Sequence, residues 1–460
     1  MREWEQATWA AGTTESSVIA RVGELVASRA RRLARAGDRV LVLAGKGNNG
    51  EDARHALKHL PSDWQVHAQN VSGSDYDFTA ALAQLEQRPA LIIDGLFGIG
   101  LNRPLDSKWT ALIQRINELQ TVVLSVDVPS GLNAATGEPE GAAIQATVTL
   151  TLGAPKRGLL QPSAWPYVGR LEVSADIGLI PCPLASDLNW TLPEDFAGYP
   201  PVRGIAANKG DFGRLAIIAG SLGFHGAAVL TARGAQRAQP GLITLYTQES
   251  IYQPVASQLQ AVMVGIWRPN LPLPGNFNAL MAGPGLAAEN LPDVLRATIR
   301  HLWQTSPVPM IVDASALAWL PAGPLAKPEF IRVITPHPGE AARLLQIPTR
   351  EVQANRVVAL RELSQRLGHC WVVLKGSETL TGRATGNIVV NSSGNPQLAQ
   401  GGSGDVLAGY LAGLLAQPPL QSDPLKTLAL GVWQHGAAAD RLSETKRNWV
   451  VEDLAAEIGA

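Results

Sequence analysis

The sequence has little cysteine and almost no net charge. Only two of its 460 residues are cysteine, Cys182 and Cys370, and they lie far apart in the chain. Two isolated cysteines are too few for a disulfide framework or a zinc site. Lysine and arginine total 38 and aspartate and glutamate total 39, so the net charge is −1. This balance argues against a protein that binds nucleic acid through phosphate charge.

The sequence also lacks a long apolar run. No stretch reaches the roughly 18 residues that a membrane-spanning helix requires, and the chain does not open with a basic segment followed by an apolar one. We therefore expect no membrane partner and no secretory signal. Together with the scarcity of cysteine, this predicts a protein of the reducing cytoplasm. A homo-oligomer is compatible with these observations.

What the sequence does contain is an alternation of strand and helix patterns. Its length exceeds that of one ordinary core, so two domains are expected. Strand patterns recur between residues 38 and 178 and again from residue 213, and a proline-rich polar stretch, 181–204, separates the two series. We predict an α/β fold with two domains, 1–185 and 186–460. The first should carry a Rossmann-like doubly wound sheet.

A glycine-rich stretch near the C-terminus, "LAQGGSGDVLAGYLAGLLAQ" (398–417), leads into an apolar helical pattern. Glycine is costly in regular structure but is tolerated where the backbone closely approaches a ligand. The free N–H groups and the dipole at a helix N-terminus attract an anion. The stretch therefore predicts an anion site, and the alternative is a loop in which Asp405 caps its helix.

A second glycine pattern, Gly45-x-Gly47-x-x-Gly50, lies between a strand and a helix and formally matches the dinucleotide-binding fingerprint. The acid that such a site requires about 20 residues later is absent. Asn48 and Asn49 instead offer amide groups that can contact both a polar ligand and a cation. An ordinary dehydrogenase is therefore the least supported interpretation.

Three further polar residues, Asp94, Asp127 and Ser130, lie where strand patterns end. Open α/β sheets bind their ligands at the carboxyl ends of strands. Asp127 can transfer protons if it is partly desolvated. The alternatives are that Asp127 holds the turn after its strand and that Ser130 is a turn residue. Together with Asn49, the three residues offer oxygen ligands that suit a hard cation.

The first half resembles the epimerase domain of the bifunctional NAD(P)H-hydrate repair enzymes in the strings "GNNGEDA", "IDGLFGIGLNRP", "VDVPSGLNAATG" and "KRGLL". The second half resembles the ribokinase-like dehydratase domain of the same family in "NKGDFGRLAIIAGS", "GPGL", "TPHPGEAARLL", "VVLKGSET" and the glycine-rich stretch. The strings follow the family's order along the chain. The resemblance implies repair of hydrated NADH and NADPH.

In the first domain, the resemblance implies that R- and S-hydrates are interconverted. It places a potassium ion on Asn49, Asp94 and Ser130, and it makes Asp127 a catalytic residue. The substrate-binding residues that it implies are Asn48, Asn49, Gly50, Glu51, Asp52, Gly98, Ile99, Gly100, Leu101, Asn102, Arg103, Pro104 and Asp127.

In the second domain, the resemblance implies a nucleotide-dependent dehydration. Hydroxide is a poor leaving group, and transfer of a phosphoryl group from ATP or ADP, with Mg²⁺, makes it leave easily. Asp405 would accept the proton of the attacking hydroxyl as the catalytic base. Substrate would contact Gly285, His337 and Asp405. The nucleotide-binding residues that the resemblance implies are Lys375, Gly376, Ser377, Glu378, Thr379, Gly402, Ser403 and Gly404.

The sequence departs from the family pattern at Glu51 and Ala53, where glycines are usual. A carboxylate at residue 51 would bring like charge toward a phosphate-bearing ligand. It would also add strain if the backbone there requires a positive φ. The epimerase is therefore expected to be weakened or lost. The alternative function is a ribokinase-like kinase of small alcohols, whose N-terminal half is a non-catalytic binding module.

Overall fold

The computed structural model describes residues 1–459. It divides into two compact units, one from Met1 to Ala185 and one that begins at Ser186. Each unit has its own largely parallel sheet with helices packed against it, as the α/β prediction required. Among residues 1–459, no helix is both long and apolar enough to cross a lipid bilayer.

The first unit contains a six-stranded parallel sheet in the order β2-β1-β3-β4-β5-β6. Its elements are α1 (Arg2–Ala10), α2 (Glu15–Ala30), β1 (Arg39–Ala44), α3 (Asn48–Ala56), β2 (Gln65–Asn70), α4 (Asp75–Leu85), β3 (Leu91–Gly95), α5 (Ser107–Glu118), β4 (Val122–Val126), β5 (Val148–Leu152), α6 (Trp165–Val168) and β6 (Arg170–Ser174). All six strands were expected from the sequence. Apolar clusters cover both faces of the sheet, which is why the central strands read as continuous apolar runs.

The order of the strands reverses direction at β1, because β2 lies on one side of it and β3 on the other. Such a switch point leaves a crevice at the carboxyl ends of the two central strands, and ligands bind there in open α/β sheets. The helix α3 begins directly above this crevice. The register pairs Leu43 with Asp94, and Asp94 with Ser125, so the polar ends of β3 and β4 meet at the crevice.

The second unit contains a ten-stranded sheet in the order β10-β9-β8-β11-β12-β13-β14-β15-β16-β7. Its strands are β7 (Leu188–Trp190), β8 (Arg214–Ile218), β9 (Leu242–Thr247), β10 (Met263–Ile266), β11 (Ala279–Ala282), β12 (Met310–Val312), β13 (Arg332–Ile334), β14 (Trp371–Leu374), β15 (Leu380–Gly382) and β16 (Ile388–Val390). Only the β14–β15 and β15–β16 pairs are antiparallel. The sequence predicted the strands from β8 to β14 except β10, and it did not predict β7, β10, β15 or β16.

The helices of the second unit flank this sheet on both faces. They are α7 (His225–Arg237), α8 (Tyr252–Ala256), α9 (Asp293–Thr305), α10 (Pro338–Leu345), α11 (Thr349–Ala354), α12 (Arg356–Arg366), α13 (Ser403–Leu415), α14 (Pro424–Thr445) and α15 (Val451–Glu457). The helices α7 and α13 pack closely, and glycine makes this possible. A Cβ atom at Gly409 would collide with the Thr231 carbonyl oxygen. A Cβ at Gly413 would lie 2.6 Å from the Ala235 oxygen. This close packing fixes the N-terminus of α13 over the sheet.

Candidate active sites

In the first unit, a tight turn leads from β1 into α3. A Cβ at Gly45 would collide with the carbonyl oxygen of Leu96, and a Cβ at Gly50 would collide with that of Gly45. The two glycines are therefore needed for close packing of the backbone. Gly47 is the N-cap residue of α3 and has open space around it. The helix consequently starts at Asn48, with its N-terminus at the crevice.

A buried set of oxygen atoms lies beside this turn. The Ser130 hydroxyl donates to Asp94 Oδ1 (2.6 Å), and the Ser130 amide donates to Asp94 Oδ2 (2.9 Å). The Ser130 hydroxyl also accepts from the Phe97 amide (2.8 Å). The carbonyl oxygen of Phe97 accepts from Asn49 Nδ2 (2.8 Å). Ser130 lies in the turn after β4, as the alternative interpretation had it, and its hydroxyl also bonds to Asp94 within this oxygen set.

The other amide oxygen in this set, Asn49 Oδ1, is buried and has no hydrogen-bond partner among residues 1–459. A buried acceptor without a partner is costly and calls for an explanation. Burial raises the pKa of Asp94, and the hydrogen bonds from Ser130 act against that rise. No group of three His, Cys, Asp or Glu side chains in the described chain could hold a metal. A cation here would instead use amide, carbonyl, hydroxyl and carboxylate oxygens, which is the donor set of a hard cation.

Asp127 follows β4 and is held by a lysine that sequence reasoning did not select. Lys156 forms a buried ion pair with Asp127, and its Nζ also donates to Thr151 Oγ1 (3.1 Å) and to the Leu152 oxygen (2.8 Å). The Leu152 amide donates to Asp127 Oδ1 (3.0 Å). Asp127 therefore bonds to β5 and to Lys156 rather than holding the turn that follows it. The available signal was the string "KRGLL", which begins with this lysine.

Asp52 lies on α3 and is buried. Burial raises the pKa of Asp52 to about 8, and the charge of Asp127 adds to the rise. At neutral pH this carboxyl group therefore holds its proton. Because Asp127 acts on Asp52 through its charge, the structure brings two of the residues selected from sequence into one site.

The two departures from the family pattern are accommodated by α3 itself. Glu51 lies inside the helix and outside the positive-φ region, so the condition under which it would add backbone strain is not met. Its carboxylate is exposed and pairs with Arg54 (2.9 Å), and the hydrogen bond from Arg54 lowers the pKa of Glu51. Ala53 is buried against β3, where a Cβ at Gly95 would lie 2.5 Å from the Ala53 Cβ. Ala53 thus packs closely against the β3 backbone.

The segment from Gly98 to Pro104 follows β3 and forms the rim of the crevice. A Cβ at Gly98 would lie 3.3 Å from the Asn49 Cβ, so this end of the segment contacts α3. Leu101 is buried and anchors the middle of the segment. The polar residues near its end, Asn102 and Arg103, are exposed.

In the second unit, α13 begins at the glycine-rich stretch. Its N-cap residue is Gly402, with a φ of 95°, and no side chain caps the helix. The alternative in which Asp405 caps the helix is therefore wrong. The N–H groups of Gly404 and Asp405 lie in the first turn, where no intrahelical acceptor exists. A Cβ at Gly404 would lie 3.2 Å from Lys375 Nζ, so this ammonium group lies at the helix N-terminus.

Asp405 faces an ion pair formed between two strand ends. Lys375, after β14, donates to Asp313, after β12, at 2.9 Å. Burial raises the pKa of Asp405 to about 7; the charge of Asp313 adds to the rise and Lys375 opposes it. Burial also acts to lower the pKa of Lys375, but the charges of Asp313 and Glu340 outweigh it and the pKa is raised. A charged lysine thus lies beside an acid that is half ionised near neutral pH.

His337 is the N-cap residue of α10, and part of its side chain is exposed to solvent. Its Nδ1 accepts from the Gly339 amide (3.0 Å), and its own amide donates to Glu340 (2.8 Å). The Nδ1 atom of His337 therefore has a structural role as the cap of this helix. The side chain is 51% exposed, and burial of the remainder lowers the pKa of His337. In the neutral ring the proton lies on Nε2, because Nδ1 is an acceptor.

The loop from Lys375 to Thr379 is held by Arg356, which sequence reasoning missed. The guanidinium donates to the carbonyl oxygens of Ser377, Glu378 (3.3 Å), Leu374 (3.1 Å) and Lys375 (3.4 Å). Burial lowers the pKa of Arg356 to about 10 and raises that of Glu378 to about 7. No sequence signal indicated this arginine, because it lies about 20 residues before the loop.

Gly285 lies at the opposite side of the site, after β11. It has a φ of 66°, and its carbonyl oxygen accepts from Ser221 Oγ (2.6 Å). The strand order runs from β8 and β11 through β12 and β13 to β14. Gly285 and Lys375 therefore border the site at its two sides, with Asp313 and His337 between them.

Comparison with known proteins places these two sites in context. A family model described as NAD(P)H-hydrate dehydratase matches residues 215–459, and one described as YjeF-related protein N-terminus matches residues 64–158. The second match includes Lys156 and the residues of the oxygen set except Asn49. The chain is 35% identical to the bifunctional NAD(P)H-hydrate repair enzyme of Gloeobacter violaceus, over 96% of this chain and 92% of that protein.

A second curated relative is the enzyme of the same description from Escherichia coli, which is 31% identical over 88% of this chain and 80% of its own length. Among solved structures, the ADP/ATP-dependent NAD(P)H-hydrate dehydratase from Bacillus subtilis, co-crystallised with ATP and Mg²⁺, aligns with a TM-score of 0.53 and 28% identity. That alignment covers 60% of this chain and 97% of the other. A ribokinase-like protein from Enterococcus faecalis aligns with a TM-score of 0.52 and 24% identity, over 60% of this chain and 95% of its own.

Proposed function

Because this chain belongs to the family of bifunctional NAD(P)H-hydrate repair enzymes, we propose roles for the residues of its two sites. The second unit is the ribokinase-like, nucleotide-dependent dehydratase domain, and the first is the epimerase-type domain. Family membership over nearly the whole chain favours the repair enzyme over the alternative of a small-alcohol kinase with a non-catalytic N-terminal binding module.

In the dehydratase site, Asp405 accepts the proton of the substrate hydroxyl as that oxygen attacks the phosphoryl group. Its pKa of about 7 matches the working pH of a general base. The first-turn N–H groups of α13 and the ammonium of Lys375 stabilise the charge on the transferring group. The C–O bond then breaks and the oxygen leaves as phosphate, while the neighbouring ring carbon loses a proton to water and the C=C bond of NAD(P)H is restored. Neutral His337 donates a hydrogen bond from Nε2 to the substrate.

The phosphoryl donor is ATP or ADP, and its base-distal phosphates lie between the Lys375–Thr379 loop and Gly402–Gly404. Mg²⁺ binds proteins through one or two carboxylates together with nucleotide phosphates. Asp313 and Asp405 both act through their charges on Lys375, so one or both of these carboxylates would hold such an ion together with the nucleotide phosphates. When bound, Mg²⁺ would neutralise charge on the phosphates.

In the epimerase site, a potassium ion is held by Asn49, Asp94 and Ser130. The supporting observation is the buried Asn49 Oδ1 without a partner, since a cation would satisfy this atom. Substrate contacts the start of α3, from Asn48 to Asp52, and the rim from Gly98 to Pro104. The ion would give the substrate-binding residues their fixed orientation.

Two carboxyl groups then take different roles. Asp52 holds its proton at neutral pH and donates it to the hydroxyl group of the ring as the C–O bond breaks. Asp127, in its buried ion pair with Lys156, accepts a proton from the water that adds to the opposite face. Neighbouring acids that divide the roles of proton donor and proton acceptor are a recurrent arrangement.

The observation that carries the dehydratase proposal is the position of Asp405 in the first turn of α13, whose glycine-rich start lies against the ammonium of Lys375. The test follows absorbance at 340 nm after the protein is added to a mixture of R- and S-NADPH hydrate with Mg²⁺, K⁺ and either nucleotide. Recovery of NADPH only with ATP or ADP, and none from Asp405→Asn, is expected. No recovery with either nucleotide would contradict the proposal.

A fast phase that stops at the S fraction would show an inactive epimerase domain, whereas fast and full recovery would show an active one. The same assay in tetramethylammonium instead of K⁺ tests the cation site. We expect recovery of the S fraction, the first phase, to be unchanged. Recovery of the R fraction, the second phase, depends on epimerisation and should slow.

A further inference from the structure

A cleft in the second unit lies beside the dehydratase site, outside the residues assigned so far. It measures about 360 Å³ and lies at the carboxyl ends of β8, β9 and β10. Its lining includes Gly220 and Leu286, and Leu286 follows Gly285 directly. A Cβ at Gly285 would lie 3.2 Å from the Gly220 Cα. The cleft is therefore continuous with the substrate side of the reaction site.

Two aromatic side chains and a charged rim give the cleft its chemical character. Tyr246 and Trp267 line it, and the buried indole Nε1 of Trp267 has no acceptor among the described residues. Arg268 and Glu249 form an exposed ion pair at 3.0 Å on the rim. Aromatic walls, an unsatisfied donor and a cation match the base and the phosphate of a nucleotide.

The geometry of phosphoryl transfer also directs the substrate from the reaction site toward this cleft. The donor loop lies after β14, and the attacking and leaving oxygens of the transfer lie roughly in line. The substrate must therefore extend away from β14, past Gly285, toward β8 to β10. From the end of β12 to the end of β10 are four strand spacings, roughly 19 Å. An extended dinucleotide can bridge that length.

We propose that this cleft binds the AMP half of the hydrated dinucleotide, with the base against Tyr246 and Trp267 and a phosphate at Arg268. This inference rests on the proposed dehydratase function. It assigns binding energy to a part of the substrate that does not react. The phosphoryl donor has its own loop and does not need the cleft.

The test compares three substrates: the S-hydrates of NADH, of NADPH and of reduced nicotinamide mononucleotide, which lacks the AMP half. Arg268→Gln is expected to raise KM about tenfold for both dinucleotides, because a charge-assisted hydrogen bond to phosphate is lost. The KM for the mononucleotide hydrate, the KM for ATP and kcat should not change. Trp267→Phe keeps an aromatic side chain but removes the N–H group together with the five-membered ring of the indole, and should raise the KM of the dinucleotides about threefold.

The matched control is Arg441→Gln, which breaks another partly exposed arginine–glutamate pair of this unit (Arg441 and Glu457, 2.7 Å) and should alter no kinetic constant. The inference is overturned if Arg268→Gln leaves all three KM values unchanged or raises them equally. Calorimetric titration with NADPH keeps the cleft testable if no hydrate is turned over. In that case the dehydratase proposal fails. If Arg268→Gln weakens NADPH binding about tenfold, the assignment of the cleft is still supported. If NADPH binding is unchanged, the assignment of the cleft is overturned.

Discussion

The two units use the same chemical groups. Each has a carboxyl group near the start of a helix, buried in the first unit and partly buried in the second, and an aspartate–lysine ion pair whose aspartate follows a parallel strand. In the first unit these are Asp52 on α3 and the pair Asp127–Lys156. In the second they are Asp405 on α13 and the pair Asp313–Lys375.

The difference lies in which member of the pair faces the lone carboxyl. The neighbouring charges that act on Asp52 are carboxylates, with Asp127 foremost, and the pKa rises to about 8. Asp405 meets both Asp313 and Lys375, and its pKa rises only to about 7. In the proposed mechanisms the lone acid is a proton donor in the first unit and a proton acceptor in the second, where the nearby ammonium group opposes the rise in pKa that burial causes.

The sharpest way to separate the two sites is Asp405→Asn. We expect the dehydratase kcat to fall about a thousandfold, because the general base is lost. Epimerisation in the same protein should be unchanged, as measured with a coupling dehydratase that lacks an epimerase domain. A parallel loss of both activities would contradict the independence of the two sites.

The corresponding change in the first unit is Asp52→Asn, for which we expect a loss of about a hundredfold in epimerisation through loss of the proton donor. The second phase of NADPH recovery at 340 nm reports this rate, and the first phase should be unaffected. Glu118→Gln serves as the control, because this exposed carboxylate at the end of α5 pairs with Arg115 (3.0 Å) outside the site, and it should change the rate less than twofold. Equal losses for both variants would remove Asp52 from its assigned role.

The pH profiles of the two activities should have opposite signs. Asp405 must lose its proton to act, so dehydration should rise about tenfold per pH unit below about 7 and level off above it. Asp52 must keep its proton, so epimerisation should fall by a similar factor per unit above about 8. Initial rates between pH 5.5 and 9.5 check both limbs. Each limb should disappear in the corresponding Asp→Asn variant, and profiles of the same sign would refute the comparison.

The smallest effect is expected where the sequence raised the most doubt. Glu51→Gly restores the glycine of the family pattern but should change the epimerisation rate less than about twofold, because residue 51 is exposed and pairs with Arg54. Glycine inside a helix costs about 1 kcal/mol, so denaturant unfolding should show a slightly less stable first unit. A large gain in rate would mean that Glu51 does repel the substrate.

Most of the fold could be predicted from the sequence, because long apolar strands buried on both faces give strong patterns. The strands that escaped prediction are short or lie in polar sequence; β15 and β16 have three residues each, and β7 lies within the proline-rich stretch. Such runs are too brief for periodicity to show.

Site residues were predicted only where they lie within a recognisable sequence motif. Asp405 and the oxygen set around Asp94 were selected, because each lies at a glycine turn or a strand end. Lys156 and Arg356 were not, since their partners are set by the sheet and not by spacing along the chain. In the turn between β1 and α3, Gly45 and Gly50 are required for close packing against neighbouring backbone, which the glycine pattern alone did not reveal.

The four carbonyl oxygens bound by Arg356 have a consequence for the entropy of nucleotide binding. A loop that its own chain holds in place has little freedom left to lose when a ligand arrives. The loop proposed to bind the nucleotide is therefore a preorganised surface, and ATP and ADP would each meet the same small ordering cost on binding it. Tolerance for both ATP and ADP would then follow from rigidity of the loop rather than from adaptability.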